Sequence, residues 1–132
     1  MEKFIHTSGK RKSAIARATL SKGTGKIVIN QRLIDVFHPK IARMKIREPV
    51  LLAGDVAKDL DFNINIYGGG SISQADAARL AIGRALAEYS PALKETFLAY
   101  DRQLLIADVR RKETRKPNCH GKARAKRQKS YR

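Results

Sequence analysis

The last eighteen residues, RKPNCHGKARAKRQKSYR (115–132), carry eight Lys or Arg and no Asp or Glu. A segment this polar has almost nothing to bury, and its like charges repel, so it cannot collapse on itself. Whatever core the chain builds must come from the residues before it. From Asp108 to Arg132 eleven basic and two acidic residues give a net of +9. The first 107 residues hold seventeen basic and ten acidic ones, a net of +7. The expected organisation is therefore a globular domain over 1–107 and an extended basic C-terminal tail over 108–132.

At 132 residues and 42% apolar composition, the chain can build one modest core but not two. Its net charge of +16 points to a polyanionic partner. The one cysteine, Cys119, excludes an internal disulfide and fits a reducing compartment. No run of 18 apolar residues is present, so no membrane span is expected. The opening MEKFIHTSGKRK lacks the apolar stretch of a secretory signal. The expectation is a soluble cytoplasmic protein.

Local patterns give an order of elements. SAIARATL (13–20) and KIVI (26–29) flank a glycine-containing linker and are expected to pair as a hairpin. Pro39 and Pro49 break the next stretch, which reads as a short helix near 31–37, an irregular segment and a helix from about Pro49 to Gly54. In DFNINIYGGG, Phe62, Ile64 and Ile66 alternate with Asn63, Asn65 and Tyr67, which predicts a strand with one buried face. Residues 73–89 predict a helix, with Ala78, Ile82, Leu86 and Tyr89 on one apolar stripe and Ser73 with Asp76 as a capping box. Pro91 suits the start of a second helix, PALKETFLAY. LLIADV (104–109) is the last apolar run. The expected fold is α+β, a small sheet with helices on one face.

Several chemistries are excluded or weak. Gly68, Gly69 and Gly70 between strand and helix occupy the place of a phosphate loop. Ser73 stands where a dinucleotide fingerprint needs Gly, however, and no Gly-Lys-Ser/Thr follows. A structural turn requiring positive φ is the simpler reading. Cys119 and His120 are adjacent, with His6 and His38 far away, which is no metal spacing. An adjacent Cys–His pair in a polar arm has no rigid support for nucleophilic catalysis. No enzyme, cofactor, metal site or small-molecule substrate is expected.

The basic clusters remain. Lys10, Arg11, Lys12 and Arg17 surround the first strand motif. An edge strand defended by charge would look similar. Arg79 and Arg84 lie about 140° apart around the predicted helix, and either could face nucleic acid. Arg84 is the candidate retained. In the tail the candidates are Arg110, Arg111, Lys112, Arg115, Lys116, Lys122, Arg124, Lys126 and Arg127. Such cations displace condensed counterions from RNA phosphates, and Arg can pair two oxygens at once. Tyr131, beside Arg132, can stack on an unpaired base, which favours RNA over DNA. A non-ribosomal DNA- or RNA-binding basic protein is the alternative.

The pattern GGGSISQADAARLAIGRAL resembles the signature of the ribosomal small-subunit protein nine family. Gly68, Gly69, Gly70, Ser73, Gln74, Ala77, Ala81, Gly83, Arg84, Ala85 and Leu86 all fit it. TSGKRKSAIARA is similar to that family's N-terminal strand motif, and ARAKRQKSYR to the long tail of its archaeal and eukaryotic members. The resemblance implies the fold of the second domain of small-subunit protein five, with a left-handed βαβ crossover. It implies a place in the head of the small subunit beside neighbouring head proteins. It also implies a tail that threads ribosomal RNA to the peptidyl-site tRNA. There Arg132 would meet tRNA phosphates, with Lys129 and Tyr131 helping to place it.

Overall fold

The computed structural model describes residues 3–124 and Tyr131. Alternation dictates its centre. In strand β5 (Leu60–Tyr67), Leu60, Phe62, Ile64 and Ile66 are buried while Asn63, Asn65 and Tyr67 face solvent. Strand β2 (Ala14–Lys22) alternates likewise, burying Ala14, Ala16, Ala18 and Leu20. With β1 (Ile5–Arg11), β3 (Ile27–Ile29) and β4 (Arg32–Leu33) they form a five-stranded mixed sheet in the order β1-β2-β5-β3-β4. β3 runs parallel to β5, and the other neighbours are antiparallel.

Helix α2 (Ser71–Tyr89) lies across β1, β2 and β5, and α1 (Lys40–Ala53) and α3 (Ala92–Tyr100) pack against it. The fold is α+β, with helices covering one face of the sheet. Its inward stripe is built from small residues, Ala75, Ala77, Ala78, Ala81 and Ala85, all fully buried. This lets helix and sheet approach closely. At Gly9 of β1 an added Cβ would overlap the Ala77 carbonyl and crowd the Ala81 amide. Phe62, Phe97, Ile46, Ile82, Leu86 and Leu104 complete the core.

Five expectations need correction. The segments at 13–20 and 26–29 do not pair, because β5 separates β2 from β3. Their linker is instead tied to β5: the Asp61 carboxylate accepts from the amides of Thr24 (2.8 Å) and Lys26 (2.9 Å). The true hairpin is β1–β2, closed by Lys12 and Ser13, with Lys12 at φ +53°. The helix expected at 31–37 is β4 followed by a single 3₁₀ turn, Ile34–Val36.

Pro49 lies inside α1 rather than at its start. An interior proline costs an amide bond. Here its ring joins Ala42, Ile46 and Ala53 in one buried stripe, and that burial keeps the helix continuous. Finally, α2 begins at Ser71 after Gly70, with no side-chain cap, so Ser73 and Asp76 form no capping box. Asp76 binds Lys45 of α1 at 2.9 Å instead. Tyr89, expected on the apolar stripe, is 43% exposed, and the stripe ends at Leu86.

Candidate nucleic-acid interface

After the 3₁₀ turn Arg102–Leu104 the described chain forms no further helix or strand up to Arg124. Its direction of exit is set by α2. Gly83 lets the Leu104 carbonyl lie where any side chain would collide. The next residue, Arg84, donates from Nε to the Leu105 carbonyl (3.0 Å) and from Nη1 to the Ser8 carbonyl (2.9 Å). One guanidinium thus ties helix, first strand and the start of the tail together.

Asp108 makes the second attachment. Arg11 Nη1 stands 2.9 Å from its Oδ2, a close ion pair without the alignment of a hydrogen bond. Arg11 Nε also lies 3.9 Å from Asp76. Arg110 folds back on the same carboxylate, donating its amide at 2.9 Å and its Nη2 at 2.7 Å. The Arg110 side-chain bonds, then its amide bond and the nearby Arg11 charge, hold the Asp108 carboxyl far below the usual carboxylate range. The same pairing raises the Arg110 guanidinium.

This fastening sets the tail beside the β1–β2 turn. Between them opens a cleft of about 710 Å³ lined by Lys12, Ser13, Arg110, Arg111 and Lys112, with no carboxylate in its lining. Arg110 is matched by Asp108, but the three other like charges around the concavity, Lys12, Arg111 and Lys112, repel each other and favour an anion between them.

The remaining candidates fall in different places. Lys10 and Arg17 belong to the strand face away from the helices, and the Arg17 guanidinium carbon sits 5.7 Å above the Tyr67 ring. Arg84 is committed to backbone carbonyls. Arg115, Lys116 and Lys122 are exposed, with the Lys116 amide donating to the Lys122 carbonyl at 3.0 Å. Arg124 pairs with Glu113 through Nε at 3.0 Å, which lowers the Glu113 carboxyl. Tyr131 is 88% exposed. Lys126, Arg127, Lys129 and Arg132 lie outside the described residues. Of the three glycines, Gly68 (φ +77°) and Gly69 (φ +65°) are in the left-handed region, and Gly68 packs against the Ser13 carbonyl.

Sequence reasoning did not assign Arg79, which donates to Glu48 of α1 (2.6 Å) and to Asp101 after α3 (2.9 Å). Nor did it find Asp108 as the fastener, since the partner of a carboxylate is set by tertiary contact. Among the described residues no group of three His, Cys, Asp or Glu could hold a metal, and no helix is long and apolar enough to cross a membrane.

A small α+β domain whose carboxylates fasten its own scaffold, and whose cations gather along one edge and an outgoing tail, has the build of a ribosomal protein. Residues 9–132 match the family described as ribosomal protein S9/S16, and the chain belongs to that family. It is 52% identical over 133 residues to Small ribosomal subunit protein uS9 of Methanococcus maripaludis (strain C5), covering 98% of this chain and 99% of that protein. To the protein of the same name from Methanococcus vannielii it is 50% identical, with the same coverage. The chain is accordingly a structural constituent of the small ribosomal subunit and not an enzyme.

Proposed function

We propose that this protein binds small-subunit rRNA along the β1–β2 turn and the tail, and that the tail continues to the peptidyl-site tRNA. The carboxylate-free cleft at Lys12, Arg110, Arg111 and Lys112 carries the first part. It is the size and charge of a seat for a phosphate-sugar segment. Lys10 and Arg17 extend the basic surface along the open sheet face, and Arg115, Lys116, Lys122 and Arg124 extend it along the tail. Lys126 and Arg127 continue the same composition. The division at residue 108 is functional in this reading: the domain covers RNA surface and the tail penetrates it. Lys129, Tyr131 and Arg132 at the tip are the tRNA-contacting residues, Tyr131 by stacking and the two cations through phosphates. Neighbouring head proteins complete the surroundings.

The test is salt dependence. If about five tail cations meet phosphates, the slope of log K on log salt is about −3.5, so doubling the salt weakens binding roughly tenfold. A slope near zero would refute rRNA binding by the tail. Deleting residues 130–132 is expected to leave subunit assembly intact and weaken peptidyl-site tRNA binding. Unchanged tRNA binding would remove the tip assignment.

A further inference from the structure

Helix α1 carries apolar residues on two faces. One stripe, Ala42, Ile46, Pro49 and Ala53, is buried within the fold. The other, Ile41, Met44 and Leu51, spans a sector under about 100° wide at about 100° per residue. It points to solvent: Met44 is 61% exposed and Leu51 77%. Tyr100, at the end of α3, stands beside this stripe, and together they wall a groove of about 790 Å³. A soluble domain gains nothing from a contiguous apolar groove of this kind unless something covers it.

The charges around the groove indicate the occupant. Three charged residues line it, Lys45, Arg47 and Glu48. Each is already matched within the fold: Lys45 by Asp76, Arg47 by Asp35 and Glu48 by Arg79. The groove therefore offers no uncommitted cation to a phosphate, in a chain whose net charge is +16. RNA would have to leave its phosphates facing leucine and methionine. A second copy is opposed by the repulsion of two +16 chains. A neutral apolar ridge on another polypeptide meets neither objection.

We propose that the α1–Tyr100 groove is a protein-docking surface, taking an amphipathic helix of a neighbouring small-subunit protein by its aliphatic edge. Ile41, Met44 and Leu51 provide the apolar wall that receives the anchor residues of such a helix. The proposal rests on membership of the small subunit but not on the RNA contacts assigned to the turn and tail.

The experiment places a benzophenone side chain at position 51 of the full chain, incorporates it into small subunits and irradiates them. The expected result is an adduct to a peptide of one other ribosomal protein, identified by mass spectrometry. That adduct should fall at least fivefold when Met44→Glu is added, while affinity of the free chain for rRNA stays within twofold. An adduct to RNA, an adduct to a second copy, or no adduct overturns the proposal. So does an adduct that Met44→Glu leaves unchanged. Loss of rRNA affinity across all variants would instead bear on the basic cleft, so the two readings fail separately. Met44 is exposed, and an unchanged circular dichroism melt confirms that the glutamate variant folds.

Discussion

Arg84 distinguishes two roles that a basic residue on a ribosomal protein can play. Its guanidinium either meets RNA or holds the protein together, and the structure spends it on two carbonyls, Leu105 and Ser8. Arg84→Met keeps the aliphatic stem and removes both donors. A hydrogen bond from a charged donor contributes about 1.5–3 kcal/mol at a buried site. This one is half-exposed, so about 1 kcal/mol each is the appropriate scale, or about 2 kcal/mol together. For a domain of this size that lowers Tm by roughly 6 °C. Arg84→Lys retains the charge, yet its single nitrogen does not reproduce the fork by which Nε and Nη1 each meet a different carbonyl, so about half the loss is expected. Thermal and urea unfolding of the free protein, followed by circular dichroism, measures this directly. Because the acceptors are neutral carbonyls, the loss should persist in 1 M salt. If Arg84→Met is as stable as the parent within about 0.3 kcal/mol, while rRNA affinity falls, the guanidinium belongs to RNA and the clamp is refuted.

Further predictions concern other contacts. Gly9→Ala drives a Cβ into the Ala77 carbonyl, which as helix backbone cannot yield; a loss of about 3 kcal/mol in urea unfolding is expected. Arg79→Ala leaves Glu48 and Asp101 without their shared cation, and about 2 kcal/mol should be lost, discounted from the fully buried case because both carboxylates are partly exposed. Asp108 sets an acid limit. Its folded pKa lies below the unfolded value of about 3.9, so its ion pairs contribute above that value and are lost only as pH falls through the lower folded pKa. The side-chain carbon shift of Asp108 should still report a carboxylate at pH 4, and a midpoint at or above 4 would contradict the pairing.

The parts of this fold that sequence exposes are those whose pattern is local. β5 shows because Phe62, Ile64 and Ile66 alternate with polar residues, and α2 because its stripe runs over several turns. The β1–β2 hairpin was hidden for two reasons. β1 contributes only Ile5 and Gly9 to the buried face, so it lacks alternation of large apolar residues, and its turn uses Lys12 at positive φ rather than a glycine. α1 was obscured by Pro49, whose cost is offset by tertiary burial that no local window contains. The candidate site is proposed from composition, since a cationic tail announces itself by count. What composition could not give was the division of labour among cations. Arg79 and Arg84 are spent inside the protein, whereas Lys12, Arg111 and Lys112 hold no carboxylate among the described residues.

That division explains why a strongly basic chain retains carboxylates where it does. Asp76 and Asp108 stand at the junction of α2, β1 and the tail, and both face Arg11. They draw the first tail residues onto the domain in the free chain. Residues fixed in advance do not lose their freedom again on binding, which removes about 1 kcal/mol of ordering cost for each one held. The same fastening keeps Arg111 and Lys112 across from Lys12, so their repulsion is borne by the fold and, on the proposed function, would be relieved by a phosphate in the cleft. Asp108→Asn is expected to weaken this arrangement twice over: Arg11 loses the closer of its two carboxylate partners, and the tail root loses its fixed approach to the turn. Were the tail alone responsible for affinity, this change at a side chain only 8% exposed would strengthen RNA binding slightly by removing one negative charge. A fixed root predicts the opposite sign, a several-fold weakening with a shallower dependence on salt as the contacts at the cleft are lost, and filter binding across a salt series reads both.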